Sequence, residues 1–216
     1  MQIPVIIMAG GKSKRFDFHN IEIKYKEKTL LPFKNRYMIE HIIDAVLAAS
    51  NINKVIIAVS PFTIHTKSII KKKRMPIELI NTPGIDYHSD LSYIINSLNL
   101  HITMIISADL PLIKPNILDN IIEKFFTFNK SALTVMAFFE LFNKYGITPT
   151  QFFKSDKYKK DLVPIGINII DGRLINQLEI DQTIFISSQE ELVFNINTTD
   201  DYYKLLAFQN KKSDKI

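Results

Sequence analysis

The sequence predicts an α/β fold in three layers, with helices on both faces of a mostly parallel sheet. Two observations carry that prediction. Short apolar runs closed by glycine, proline or polar turn residues alternate, from Ile3 to Phe138, with stretches whose apolar side chains recur at helical spacing. The chain also has 216 residues, 46% of them hydrophobic and 23% charged, which is ordinary for a globular protein and enough to bury a sizeable core.

The elements follow in order. Ile3–Met8 is the first strand, stopped by Gly10-Gly11. Ile39, Ile42, Ile43, Val46 and Leu47 fall at i, i+3, i+4, i+7 and i+8 and predict a helix. Val55–Val59 is the second strand, ended by Ser60-Pro61. A helix follows over 62–73, and its Lys71-Lys72-Lys73-Arg74 run reads as a solvated C-terminal end, where cations oppose the helix dipole. Ile77–Ile80 gives a third strand before Thr82-Pro83-Gly84. Leu91, Ile94, Ile95 and Leu98 mark a helix, Thr103–Ser107 a fourth strand, Leu118, Ile121, Ile122 and Phe125 another helix, and Leu133–Phe138 another strand. Residues 139–164 are aromatic and lysine-rich without a clean period, which predicts an insertion or flap over the sheet. Gly166–Ile170 and Glu191–Ile196 read as further strands. Thr198 and Asp201 are spaced as a capping box for a closing helix that runs to about Asn210. The expected organisation is a single domain over 1–210, with 211–216 fraying.

Composition narrows the chemistry. There is no cysteine, which excludes a disulfide framework, a thiolate metal site and a Cys nucleophile. No apolar run approaches the roughly 18–20 residues that span a bilayer. Met1-Gln2-Ile3-Pro4-Val5 lacks the basic segment and long apolar stretch of a signal peptide, so the expected location is cytoplasmic. The five histidines show no metal-like spacing, and no Ser/His/Asp constellation stands out. The net charge of +5 is local: residues 1–36 carry eight basic and three acidic side chains, an excess equal to that of the whole chain. A nucleic-acid binder more often spreads its basic residues over an extended face. A local excess beside a glycine-rich turn suits a compact polyanion such as a triphosphate.

In open α/β sheets ligands bind outside the carboxyl ends of the strands. That rule selects Gly10–Arg15, Ser60–Phe62, Thr82–Asp90 and Ala108–Leu112. In Met8-Ala9-Gly10-Gly11-Lys12-Ser13-Lys14-Arg15 the glycines let backbone N–H groups approach phosphate oxygens, and Lys12, Lys14 and Arg15 add charge-assisted donors. The spacing is neither that of a P-loop nor that of the dinucleotide fingerprint, and a plain tight turn with solvated lysines is the alternative. Asp109 in Ser107-Ala108-Asp109-Leu110-Pro111 offers a hard oxygen suited to Mg²⁺, or else a turn residue before proline. In Asn195-Ile196-Asn197-Thr198 an amide oxygen could complete a metal shell, or the residues could cap the closing helix. Lys28 competes with Lys24 and Lys26 for any role at phosphate, and all three could be solvated.

Taken together, these residues resemble the MobA-like nucleotidyltransferase superfamily. Residues 8–15 resemble its signature loop, Glu27-Lys28-Thr29-Leu30-Leu31 its Glu-Lys-Pro-Leu-Leu segment, with Tyr37–Ile43 following as its first helix. Asp109 matches its metal-binding aspartate and Asn195–Thr198 its closing Asn-x-Asn-Thr motif. Leu162–Asn168, Glu191–Asp201 and the Thr82-x-Gly84-x-x-Tyr87-x-x-Asp90-Leu91 spacing further resemble the archaeal GTP:adenosylcobinamide-phosphate guanylyltransferases. The resemblance implies a Rossmann-like α/β/α fold of the nucleotide-diphospho-sugar transferase type. It implies Arg15, Lys28 and Asp109 as catalytic residues. Ala9, Gly10, Gly11, Lys12, Ser13, Thr82, Pro83, Gly84 and Asp90 would bind nucleotide, and Gly166 and Asn168 would face the acceptor. Mg²⁺ would be held by Asp109 and Asn197, with Asn195 the second choice. The implied partners are GTP and a phosphorylated corrinoid acceptor, without nucleic acid, and a homodimer is left open. The chain departs from the family in three places. A glycine is missing where Ser13 or Asp17 stands, Thr29 replaces proline, and Phe16–Lys26 lengthens the interval between Arg15 and Lys28. A molybdenum-cofactor guanylyltransferase or sugar-phosphate nucleotidyltransferase is the near alternative. A non-catalytic nucleotide-binding or nucleic-acid-binding module is the alternative of another class.

Overall fold

The structure is a computed structural model and describes residues 1–19 and 21–213. Strands β1 (Ile3–Met8), β4 (Ile52–Val59), β5 (Glu78–Asn81) and β6 (Ile102–Ser107) alternate with helices α1 (Met38–Leu47), α2 (Ile64–Lys72) and α3 (Tyr87–Leu98). A small hairpin, β2 (Pro32–Phe33) and β3 (Arg36–Tyr37), precedes α1. Its turn residues Lys34 and Asn35 have φ of 47° and 60°, the primed geometry that matches strand twist. After β6 come α4 (Pro115–Phe128), β7 (Ala132–Phe138), α5 (Phe139–Lys144), β8 (Phe153–Ser155), β9 (Lys160–Asp171), β10 (Gln182–Ile186) and α6 (Thr199–Ser213).

The main sheet runs β10-β7-β9-β6-β1-β4-β5, with β8 added on β9. The pairs of β1 with β4 and β6, of β4 with β5, and of β7 with β10 are parallel; β9 runs antiparallel to both β6 and β7. Strands buried on both faces need apolar residues at successive positions, and β1 and the Val55–Val59 part of β4 supply them. Val5 and Ile7 join the larger core under α1 and α4, whereas Ile6, Ile56 and Ile105 join a smaller one under Leu91, Ile94 and Ile95 of α3. These two cores are the physical content of the three layers. α3 and α4 both end on an asparagine in the left-handed conformation, Asn99 and Asn129. Among the described residues no helix is long and apolar enough to cross a membrane.

Most expected elements stand within a few residues of their predicted bounds, and the Thr198–Asp201 capping box forms reciprocally. The Thr198 N–H donates to Asp201 at 2.8 Å, and the Asp201 N–H donates to the Thr198 hydroxyl at 3.2 Å. Glu191–Ile196 is a correction. It is no strand; residues Glu190–Val193 form a 3-10 turn, and the Ile196 N–H donates to the Asp109 carbonyl at 3.0 Å. An apolar run without a period suits an irregular core plug as well as a strand, and Leu192, Val193, Phe194 and Ile196 are all buried. The strand in this region is instead β10, whose edge position leaves its side chains half exposed. Residues 139–164 hold α5, β8 and the start of β9, and the closing helix continues to Ser213. Residues 214–216 of the expected frayed tail lie outside the described residues.

Gly172, at the end of β9, has no room for a side chain: a Cβ there would stand 2.3 Å from the Leu100 carbonyl and 2.7 Å from Ile95 Cγ2. Gly172→Ala should therefore destabilise the fold by roughly 1–3 kcal/mol through overpacking. Differential scanning calorimetry reads this as a lowered Tm; an unchanged Tm would contradict the close approach of Gly172 to Leu100 and Ile95.

Candidate active site

Because β6, β1, β4 and β5 are parallel, their carboxyl ends open on one edge of the sheet. The loops that follow them enclose a cavity of about 440 Å³. Ala9, Gly10, Gly11, Lys12, Ser13, Lys14 and Arg15 line it from β1, Thr63 from β4, Thr82, Gly84, Tyr87 and Asp90 from β5, and Ser107 and Asp109 from β6; Lys28 and Asn197 complete the wall.

The loop after β1 begins in register, with the Ala9 N–H donating to Ala58 at 2.9 Å. It then leaves the sheet. The Gly10 carbonyl accepts from the Ser60 hydroxyl at 2.7 Å, and Ser13 takes a left-handed turn with φ 50°. Among the described residues no acceptor pairs with the N–H groups of Gly10, Gly11, Lys12 and Ser13. Gly11 faces open space, since a Cβ there would meet nothing within 4 Å. Four N–H groups presented to a cavity and flanked by Lys12, Lys14 and Arg15 make an anion cradle.

Across the cavity two cations already have partners. Lys28 Nζ lies 2.7 Å from Asp109 Oδ2, with both side chains largely covered. Arg15 Nη2 donates to Asn197 Oδ1 at 3.0 Å. Asn197 Nδ2 in turn donates to Asn195 Oδ1 at 2.8 Å, and Asn195 Nδ2 to the Ile165 carbonyl at 3.3 Å. The Lys28 N–H donates to the Ser13 hydroxyl at 3.3 Å, which ties the lysine segment to the glycine loop. Of Lys24, Lys26 and Lys28, Lys28 alone lines the cavity; Lys24 and Lys26 are exposed and outside its wall.

Asp109 Oδ1 is buried and has no hydrogen-bond partner among the described residues. An orphaned carboxylate oxygen is costly unless something else satisfies it. No cluster of three or more His, Cys, Asp or Glu side chains is present among the described residues. A hard cation would fit the carboxylate of Asp109 and the amide oxygen of Asn197, which both line the cavity, together with the oxygens of a bound phosphate. Asn195, whose Oδ1 already accepts from Asn197, fits as a support.

On the β5 side, Asp90 folds the turn that precedes it. Its Oδ2 accepts from the Thr82 hydroxyl at 2.8 Å and its Oδ1 from the Gly84 N–H at 3.0 Å. Pro83 is exposed and outside the cavity wall. Gly166 and Asn168 lie on β9 beside the cavity. Met136 pairs with Pro164 and Thr134 with Asn168, so β9 bulges by two residues around Gly166, which sits at φ 85° with a virtual Cβ 3.0 Å from Ser107. Asn168 lies near the Tyr87 phenol. The Tyr87 side chain is 42% exposed overall, but desolvation at its hydroxyl end, opposed by Asn168 and reinforced by the charge of Asp109, pushes the phenol up to about 12. Sequence reasoning did not nominate Tyr87, Ser60 or Glu27. Tyr87 lay within the Thr82–Asp90 spacing, and Ser60 stood at the end of a strand where the loop rule pointed; nothing local marked Glu27 as buried.

The MobA-like NTP transferase domain model matches residues 5–141. The adenosylcobinamide-phosphate guanylyltransferase of Methanocaldococcus jannaschii is 32% identical over 204 residues, covering 91% of this chain and 92% of that protein. Among solved structures, CMP:2-keto-3-deoxy-manno-octonic acid synthetase complexed with CTP superposes with a TM-score of 0.69 at 13% identity, over 98% of this chain and 100% of that one. The CTP:phosphocholine cytidylyltransferase of Streptococcus pneumoniae gives 0.66 at 16% identity, over 97% and 100%. These two likenesses bear on the fold, which is the expected Rossmann-like nucleotide-diphospho-sugar transferase type.

Gly11 offers a clean test of the cradle, since its backbone is unstrained for alanine and its Cβ position is empty. Gly11→Ala should leave the Tm unchanged and weaken nucleoside triphosphate binding by about tenfold or more, because the alanine keeps its N–H but its methyl group occupies the open space through which a phosphate oxygen would approach that donor. Calorimetric titration measures this; unaltered affinity would remove the loop from the binding surface.

Proposed function

We propose a specific reaction for this chain, which belongs to the MobA-like NTP transferase domain family and is a nucleotidyltransferase: transfer of GMP from GTP to adenosylcobinamide phosphate, releasing pyrophosphate. The observation that supports the reaction type is the single cavity in which unpaired loop N–H groups, two cations and a buried, half-satisfied carboxylate converge. The choice of guanine and of a corrinoid acceptor is supported by the match over nine-tenths of the chain to the archaeal enzyme.

In this reaction an oxygen of the acceptor's phosphate monoester attacks the α-phosphorus of GTP. A new P–O bond forms, the bond from the α-phosphorus to the bridging oxygen breaks, and pyrophosphate carries that electron pair away. A phosphate monoester is largely ionised near neutral pH, with a second pKa of about 6, so the attack needs no strong base. Positioning and charge neutralisation then supply most of the acceleration. The N–H groups of Gly10–Ser13 bind the β- and γ-phosphates. Arg15 and Lys28 exchange Asn197 and Asp109 for phosphate oxygens and offset charge on the leaving pyrophosphate. Asp109 and Asn197, so freed, would hold Mg²⁺, which supplies a Lewis acid at the phosphate oxygens. Thr82 and Gly84, with the turn folded by Asp90, form the wall for base and ribose. Gly166, Asn168 and the neutral Tyr87 hydroxyl face the acceptor phosphate.

Radiolabelled transfer from α-³²P-GTP to adenosylcobinamide phosphate tests the reading, with CTP, sugar phosphates and the molybdenum cofactor as competitors. Label should pass to the corrinoid from GTP; transfer only from CTP, or only to another acceptor, would contradict the assignment. Asp109→Ala should lower kcat by at least about 100-fold, the scale of losing a key electrostatic contact. Its circular dichroism spectrum should stay that of the folded protein. Retained turnover would sink the role given to Asp109.

A further inference from the structure

We infer that Glu27 is a positioning residue that sets where Lys28 stands, by capping α2 from outside that helix. A helix leaves its first N–H groups without internal partners, and a side chain at the N-cap commonly satisfies them. The N-cap residue of α2, Thr63, makes no such bond; its hydroxyl accepts from the Ser60 N–H at 3.0 Å instead. Glu27 takes its place from 38 residues away in the chain. Its Oε1 accepts from the His65 N–H at 2.9 Å and its Oε2 from the Thr66 N–H at 2.8 Å, and the Thr66 hydroxyl also donates to Oε2.

That donation uses the only proton on Thr66 Oγ1, so the Thr29 hydroxyl, 2.6 Å away, must be the donor in its pair with Thr66. Tyr25 adds a stack on His65 with ring centroids 4.6 Å apart. Glu27, Thr29 and Thr66 are all buried. The residues on either side of Lys28 are thus fastened to the same turn of α2, and the lysine between them is turned toward Asp109. A lysine stem has four rotatable bonds and a mobile charge; fixing both of its neighbours removes backbone freedom that would otherwise spread the ammonium over the cavity. Thr29, where the family carries proline, adds a hydroxyl that proline could not supply.

This inference rests on the proposed nucleotidyl transfer, and a double-mutant cycle separates the two. Pyrophosphate release is measured for wild type, Glu27→Ala, Lys28→Ala and the double variant. If Glu27 acts through Lys28, Glu27→Ala should lower kcat/KM by roughly 100-fold, the cost of misplacing a group by about 1 Å. The same change in the Lys28→Ala background should then cost no more than about twofold. A merely structural cap would instead add its full kinetic cost in both backgrounds, which would overturn the proposal while leaving the reading of the site intact; a lowered Tm is expected under either role, since both leave the α2 N–H groups unpaired. Normal turnover in Lys28→Ala would overturn both. Should Glu27→Ala fail to fold, Glu27→Gln replaces it in the cycle, since the amide keeps the shape and one accepting oxygen. Its loss should be smaller and should vanish in the same way without Lys28, and additivity would again overturn the proposal.

Discussion

The arrangement depends on the place of β1. It lies between β4 and β6, parallel to both and buried on both faces, so the loops after β1, β4 and β6 must emerge side by side. β5 adds a fourth loop at the same edge. Backbone groups leaving a parallel sheet need partners, and at this edge the chain supplies several from distant segments. The Ser60 hydroxyl donates to the Gly10 carbonyl, Glu27 accepts from the first turn of α2, and the Asp109 carbonyl accepts from the Ile196 N–H. The N–H groups of the glycine loop are the ones left over, and they face the cavity that the reaction would use.

The charges at this edge follow the same logic. Lys28 and Arg15 meet Asp109 and Asn197, oxygens that would otherwise be available to a metal. A covered ion pair gains little net free energy, because desolvation offsets much of the attraction. Such a pair can exchange one partner for a phosphate at modest cost. Asp109 Oδ1, with no partner among the described residues, is the exception that the reading of Asp109 as a turn residue does not explain.

Much of this was legible in the sequence, and the failures have physical causes. Strands buried on both faces and helices with one apolar stripe have clear periods, so β1, β4, α1, α3 and α4 could be placed from spacing alone. The glycine loop could be placed because the loop rule and the local charge excess agree on one segment. Glu191–Ile196 was misread because burial without pairing looks the same as burial in a sheet. β10 was missed because an edge strand with half-exposed side chains carries little pattern. Within the site, Lys28 could not be told from Lys24 and Lys26, since what distinguishes it is a contact with Asp109, 81 residues away. The role of Glu27, which stands in the family-like segment, could not be read for the same reason, as its partners lie on α2. Phe16 packs on Phe18 and Tyr202, and the Thr199 hydroxyl donates to the Asp17 carbonyl at 2.6 Å.

The claim at the centre is that one cavity, at the carboxyl edge of β6, β1, β4 and β5, takes the triphosphate on the N–H groups of Gly10–Ser13. Millisecond hydrogen exchange with and without GTP and Mg²⁺ addresses those groups directly. Without acceptors among the described residues, they should exchange fast alone and slow markedly on nucleotide addition, together with the turn at Thr82–Tyr87. Protection that appears elsewhere while the glycine loop continues to exchange unhindered would contradict the account.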